Sequence, residues 1–558
     1  MKNLVKDFKR VINLVQRGGL FGILVFTLLG LMNSSVLGMT QVGLYDVWET
    51  QVTNAKSYSN RFDFNVIELR ATFTSPSGSK KNFFGFYDGN GKGGQSGNVW
   101  KLRFMPDKVG TWKYSYSWTD GTSGGSGSFN VVDTGLPGPL KVATDNSWYF
   151  MTSKGKPFDF RGYDLHTVVK GTATRRILSE VSRVKNLLKT RVIDHGYNFT
   201  MLDGVTNRAR DTNRVYTWKE SWWLNTTDTK TFDIPVWKAY EEILTLAKNN
   251  HIYVMNFNGM IHQPDRYNVQ DFKVFLRYWV ARFGSYYNYF GWSPTWEWTD
   301  IWSASQVKQI MTQVQAWDPF PRLLTVHDCS DNAFSSWLDF SMNQSNGGTN
   351  TVFKDNARNI GQRQGSCSAQ GGVGTRFLNK PIIASEHIWE IKKNLVDLPQ
   401  NAAEVRRGAW GIQMAGMMPL YSEWNLYLPG GTGQGEPEMR RMFDFFYSKT
   451  QYRQYKQLNH LVSKSARQVA SGISGKEYLV YDEDGGSITI NLSGAASSNS
   501  FSVLWYDPKR GTQKTGGSVN GGTSRTLKSP FSGDSVLLLK DAGVDNVAPA
   551  RPLGLTLK

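Results

Sequence analysis

Residues 289–300 read YFGWSPTWEWTD, an aromatic and apolar run that ends in one carboxylate, Glu297, held between Trp296 and Trp298. The pattern is that of a buried strand delivering an acid at its C-terminal end. Apolar surroundings raise a carboxyl pKa and keep the acid protonated near neutral pH, which a general acid needs in order to protonate a leaving oxygen. The stretch KPIIASEHIWE repeats the design, with Glu386 closing the apolar run, His387 next and Trp389 close by. Two such strands fit a pair of carboxylates flanking a glycosidic bond. Trp faces also stack well on the apolar faces of sugar rings. Two strand-end glutamates in unrelated salt bridges would show the same spacing.

Outward from this stretch, strand and helix patterns alternate. WYFMTSKGKPFDFRGYDLH reads as a hairpin leading into a first strand that ends near Tyr163, and a charged amphipathic helix covers residues 174–190. YNFTMLDG is a second strand. Pro235 stands in the permitted first turn of the helix PVWKAYEEILTLAKNN, and IYVMNFNG is strand three. Asn268 caps VQDFKVFLRYWVARFG, whose Phe272, Phe275, Leu276, Trp279 and Phe283 fall on one face. Strand four ends at Glu297. A helix over residues 304–317 precedes RLLTVHD, strand five; WLDFSMNQ, PIIASE and MMPLYSEW are strands six to eight, and a helix over 438–458 closes the set.

Eight strands alternating with helices predict a (β/α)8 TIM barrel with its active site at the strand C-termini. The residues after the strands are Asp164 and His166, Asp203, Asn256 and Asn258, Glu297, His327 and Asp328, Asn343 and Gln344, Glu386, and Glu423 with Trp424. Glu297 and Glu386 are the catalytic candidates. Asp164, His166, Asp203, Asn256, Asn258, Trp296, His327, Trp389, Glu423 and Trp424 are the candidates for holding substrate. Each histidine could equally be a satisfied loop residue, and each Trp could be core. Strand alternation turns the His387 side chain away from the pocket.

The flanks differ. From residue 43 to 132 short alternating runs such as FNVIELRATF, VWKLRFMP and GTWKYSYSW are separated by Gly, Asn, Asp and Ser, which predicts a β-sandwich. LPGPL is a linker. After Val462 short strands return: KEYLVYDED, SITINL, FSVLWYDPKRG and SVLLLK. GGTGQGEPE, after Trp424, reads as a loop over the active-site face and lacks the GK[ST] of a phosphate cradle. The expected domains are a signal peptide or N-terminal anchor over 1–38, an immunoglobulin-like β-sandwich over 43–135, the barrel over 141–460, a small β-sandwich over 461–541 and a tail over 542–558. Lys2, Lys6, Lys9, Arg10 and Arg17 precede the uncharged apolar run 20–32 and then small residues, the order of a secretory signal; an uncleaved anchor fits the same run. Either places the rest of the chain outside the cytoplasm. Cys329 and Cys367, the two cysteines, can form one disulfide in that compartment or stand as free thiols. The net charge of +18 admits an anionic partner, but no dense Lys/Arg block lies beyond the N-terminus, which argues against nucleic acid. No CxxC or HExxH spacing supports a metal site.

The string WKLRFMPDKVGTWKYSYSW, preceded by FFGFYDGNG, resembles the immunoglobulin-like domain that stands before many bacterial polysaccharide-degrading barrels. EYLVY, WYDPKRG and SVLLLK resemble the small C-terminal β-sandwich of the collagen-binding type that follows such barrels. The barrel between them resembles the retaining glycosidases that place the acid/base Glu after strand four and the nucleophile after strand seven, and most of all the apiosidase-like barrels with these flanking domains. The resemblance implies Glu297 as acid/base and Glu386 as nucleophile. Much of that clan has Asn before the acid/base, where this chain has Trp296; many apiosidase-like barrels use Asp at one catalytic position, where this chain has Glu at both. The expectation is a secreted glycoside hydrolase acting on a polysaccharide or oligosaccharide with no metal or organic cofactor. Its rivals are a non-catalytic glycan-binding or cell-surface protein on the same scaffold, and a polysaccharide lyase.

Overall fold

The computed structural model describes residues 40–165, 177–202, 208–210, 216–218, 230–256, 272–294, 303–320, 322–327, 337–344, 379–390, 401–423, 433–464 and 467–543. Among them no helix is long and apolar enough to cross a membrane.

The centre of the molecule is built from parallel strands: β1 (Gly162–Asp164), β2 (Phe199–Leu202), β3 (Tyr253–Asn256), β4 (Gly291–Trp292), β5 (Leu323–Leu324), β6 (Ser341–Gln344), β7 (Ile382–Glu390) and β8 (Met418–Glu423). Six of them form one sheet in the order β3-β2-β1-β8-β7-β6, half of a barrel wall, and β4 pairs with β5. Backbone bonds reach across both gaps. Val254 N–H donates to Asn288 (2.8 Å), Phe290 N–H donates to Val254 (2.8 Å), and Asp339 N–H donates to Leu324 (3.0 Å).

Ring contacts identify the inner face. Phe290, just before β4, lies 4.9 Å from Phe199 of β2 and 5.2 Å from Phe340, just before β6. Phe150, from the expected hairpin of Phe150–Thr152 and Pro157–Phe158, plugs the same space at 5.1 and 5.6 Å from Phe290 and Phe340. Strands from opposite sides can meet only through the interior. Register then carries the assignment upward: Phe199 pairs with Gly162, which pairs with Leu420, and the row two residues on is Met255, Met201, Asp164 and Ser422.

The helices have sequence reasons. Ile234–Asn249 starts with Pro235 in its first turn. Ala304–Trp317 and Ala402–Met414 begin with complete capping boxes, Ser303 with Gln306 and Asn401 with Glu404. The helix expected over 174–190 appears as Ile177–Leu187 running into a π-helical turn, Leu188–Ile193. The closing helix is Glu436–Lys449, shorter than expected. In Lys273–Phe283 the expected apolar face is buried, but so are Val274, Tyr278, Val280, Ala281 and Arg282. A second surface covers that side, and the expected Asn268 cap lies outside the described residues.

That surface belongs to residues 40–135. Gln41–Gly43, Gly125–Val132, Gly110–Trp118, Leu69–Thr74 and Lys80–Phe84 make a five-stranded sheet in that order, facing a three-stranded sheet of Trp48–Thr53, Val99–Phe104 and Phe86–Tyr87. Rings interlock between the sheets: Trp48 stacks on Phe129 at 4.7 Å and Phe73 on Phe104 at 4.0 Å. The three-stranded sheet leans on the central helices through buried charges. Arg103 Nη2 lies 2.9 Å from Glu241, and Arg282 Nη1 lies 2.7 Å from Asp88.

Residues 456–541 form a six-stranded sheet and a two-stranded ribbon. In Glu477–Asp482 every residue is buried. Tyr478 and Val480 face a core shared with Phe501, Val503 and Trp505, whereas Leu479 and Tyr481 join the core of the central unit. Tyr481 stacks on Trp410 at 5.6 Å, and Tyr506 stacks on Phe445 at 4.2 Å.

Candidate functional site

The C-terminal ends of the parallel strands carry two different sets of polar groups, one on each face of the sheet. On the inner row, Ser422 Oγ donates to Asp164 Oδ2 at 2.9 Å, directly above the apolar plug. Both residues are buried. His327, three residues past Leu324 of β5, is also buried at the strand ends.

Strand β7 does not stop at Glu386, as the apolar run suggests, but continues to Glu390. Its pairing is irregular. Against β6, Asn343 pairs with Ala384 and Gln344 with Glu386, so one residue is bulged out at Ser385. Gln344 is two positions beyond Met342 and four beyond Phe340, which places it in the inner row. The bulge therefore brings backbone position 386 into the inner-row register. Against β8 the pairing resumes as Ile388 with Tyr421, Trp389 with Ser422 and Glu390 with Glu423. Trp389 thus holds an inner-row position beside Ser422. His387 lies between the two register shifts of β7, one against β6 and one against β8.

The outer row is also charged. Glu423 follows Ser422 and faces the helices, as does Glu390 opposite it; both are buried. Tyr421 donates to Glu390 Oε2 at 2.6 Å, and the Gly435 N–H donates to both Glu390 oxygens at 2.8 and 2.9 Å. Glu390 therefore ties β8 to the start of helix Glu436–Lys449, where a carboxylate suits the helix dipole. Gly433 and Gly435 are required by this contact. A Cβ at Gly433 would drive into the Tyr421 hydroxyl and the Glu390 carboxylate, and one at Gly435 would sit 2.7 Å from Val405. The end of GGTGQGEPE is thus a buried anchor rather than a loop over the mouth. Tyr163 donates to Glu423 Oε2 at 3.3 Å. Burial pushes the Glu423 carboxyl up to about 7 against the opposing pull of Arg191 and the Tyr163 hydrogen bond. Burial also raises Glu390.

Of the residues proposed from sequence, the structure brings Asp164 together with the register positions of Glu386 and Trp389 on the inner row. It puts Glu423 on the outer row instead. Asn256 pairs with Leu202, one step beyond Met255, so it too lies on the outer row; both its amide atoms are buried without a hydrogen-bond partner. His166, Asp203, Asn258, Trp296, Glu297 and Trp424 lie outside the described residues, as do Cys329 and Cys367. Sequence reasoning missed Ser422, Glu390, Tyr163 and Glu436. Glu390 was legible in IASEHIWE as a second acid four residues on, but ending the strand at Glu386 hid it.

Residues 144–419 match the family model for the apiosidase-like catalytic domain. Residues 41–119 match a domain of unknown function (DUF5060), and residues 458–540 match the "Putative collagen-binding domain of a collagenase". No curated protein matches the sequence. Among solved structures, a putative glycoside hydrolase from Bacteroides vulgatus is similar in fold with a TM-score of 0.66 at 17% identity, over 90% of this chain and 100% of that one. A family 5 glycoside hydrolase from the same organism gives 0.55 at 17% identity, over 73% and 95%. At these identities the likeness is one of fold. The likeness expected for the barrel and for the C-terminal strings is matched by these family models, and the N-terminal residues match a domain of unknown function.

Proposed function

We propose that this apiosidase-like, multidomain protein is a secreted glycoside hydrolase that cleaves a polysaccharide or oligosaccharide with retention of anomeric configuration. Glu386 attacks the anomeric carbon and forms a glycosyl-enzyme. Glu297 first protonates the leaving oxygen and then takes a proton from the water that releases the sugar. The observation that carries the reading is the bulge at Ser385, which brings backbone position 386, midway along β7, into the inner-row register. Bulges beside active sites commonly re-aim a side chain in this way. Asp164, hydrogen-bonded to Ser422, is the inner-row group we assign to a sugar hydroxyl, with Trp389 as a platform.

The wider reading follows the same line. The parallel strands close into a (β/α)8 barrel, a reading supported by the backbone bonds on either side of β4 and β5. The facing sheets before it are an immunoglobulin-like sandwich over 43–135; the barrel spans 141–460, and the C-terminal sandwich 461–541. Residues 1–38 export the chain, by a cleaved signal or an anchor. The test is hydrolysis of a glycan panel by the wild type, Glu297→Gln and Glu386→Gln, with the anomer of the product followed by NMR. Activity lost in both variants and a retained anomer are expected. Near-normal turnover in either variant, or inversion, would overturn the assignment of that residue or of the mechanism.

A further inference from the structure

The layer between a parallel strand and its covering helices is ordinarily apolar. Here, between the π-helical turn Leu188–Ile193 and the start of helix Glu436–Lys449, it opens into a cleft of about 260 Å³ over the outer face of β1 and β8. Arg191, His195, Glu423, Gln434, Glu436 and Arg440 line it. Arg191 lies within the π turn, an irregularity frequent at functional sites. Glu436 is the organising acid: Tyr197 donates to it at 2.9 Å, His195 Nδ1 lies at 3.2 Å and Arg440 Nε at 3.3 Å. Glu423 reaches the cleft from β8. Its chain neighbour Ser422 points the opposite way, to Asp164, so the strand itself separates the cleft from the barrel mouth.

We propose that this flank cleft is a second binding site, distinct from the mouth, for a single neutral sugar residue. Its volume lies below the ~300–1,000 Å³ of sites for drug-sized ligands, which suits one ring rather than a chain. The lining offers guanidinium donors, carboxylate acceptors, an amide and an imidazole, so both signs of charge are present in it. A charged ligand of either sign would meet a like charge. A polyol, whose vicinal hydroxyls donate and accept, satisfies both. The raised carboxyl of Glu423 adds a group able to donate below neutral pH. The site stands whether or not the mouth hydrolyses glycans.

The test is titration calorimetry of the full chain with D-glucose, D-galactose, L-arabinose and, as the charged control, D-glucuronate. It uses the wild type, Arg440→Met, His195→Gln and Glu386→Gln. Arg440 and His195 are partly exposed, so their variants keep the fold, which circular dichroism checks. At least one neutral sugar should bind the wild type with Kd on the order of 1 mM, weaken at least about tenfold in Arg440→Met and His195→Gln, and be unchanged in Glu386→Gln. No binding of any neutral sugar, binding of glucuronate alone, or affinity unmoved in both flank variants would each overturn the proposal. So would binding lost only in Glu386→Gln, which would assign it to the mouth.

Discussion

Replacing Glu241 by Gln should loosen the N-terminal sandwich from the central unit by about 3 kcal/mol. Glu241 stands between two buried guanidinium groups that belong to different parts of the fold. Arg103, on strand Val99–Phe104, reaches it through Nη1 at 3.0 Å and Nη2 at 2.9 Å. Arg282, on the helix before β4, reaches it through Nε and Nη2, both at 3.0 Å. Both arginines are almost fully buried. A Gln has one acceptor for these donors and turns an NH2 toward the rest. Breaking a buried ion pair from one side costs about 3–5 kcal/mol, because the other charge stays behind without compensation. The low end applies here, since Arg103 keeps Glu49 at 2.7 Å and Arg282 keeps Asp88 at 2.7 Å. Urea unfolding followed by tryptophan fluorescence, with proteolysis at the LPGPL linker, residues 136–140, as a second probe, reads the loss. The pH dependence has a definite sign. Burial would raise the Glu241 carboxyl, but Arg103 and Arg282 outweigh it and hold it well below the usual carboxylate range. A depressed folded pKa gives stability that is present above the unfolded value near 4.5 and lost as pH falls toward the folded value. The deficit of Glu241→Gln should therefore be full at neutral pH and shrink below about pH 4. A variant within about 0.5 kcal/mol of wild type at neutral pH would refute the reasoning.

Glu423 has the opposite sign. Its folded value near 7 against 4.5 unfolded means that stability is lost as pH rises between these values, so Glu423→Gln should gain on the wild type by up to about 3 kcal/mol across that window in thermal melts; no gain would contradict its burial as an acid. Gly433→Ala should lower Tm and increase cleavage near the anchor in limited proteolysis, because its Cβ collides with Tyr421 and Glu390; an unchanged Tm would show that the anchor is slack. Arg406→Met should cost about 3–5 kcal/mol in urea unfolding, since it strips Asp534 of bonds at 2.6 and 2.9 Å and leaves Glu438 buried as well; a loss below about 1 kcal/mol would show that this buried cluster does not hold the C-terminal sandwich in place.

Where the sequence was legible, local pattern and tertiary context agreed. Pro235 announces a helix start, and the apolar runs IYVMN, PIIAS and MPLYS became strands because each is covered on both faces. Legibility failed where a neighbour changed the rule. Arg282 reads as the solvated side of an amphipathic helix, but Asp88 and Glu241 arrive from other elements to bury it. Glu423 reads as a mouth residue because it ends a strand. Facing depends on register, and register places Ser422 inward instead. The bulge at Ser385 has no mark in PIIASEHIWE, so the inner-row register of position 386 could not be counted from sequence.

The central claim is that Glu386 is the nucleophile of a retaining reaction. The direct measurement is covalent trapping with a fluorinated, slowly released glycoside of whichever sugar the glycan panel identifies, followed by peptide mass spectrometry. The expected result is a single glycosylated peptide with the label on Glu386, formed in the wild type and in Glu297→Gln with an activated leaving group, and absent in Glu386→Gln. A label on another carboxylate, or complete hydrolysis of the activated glycoside with inversion and no trapped species, would contradict it.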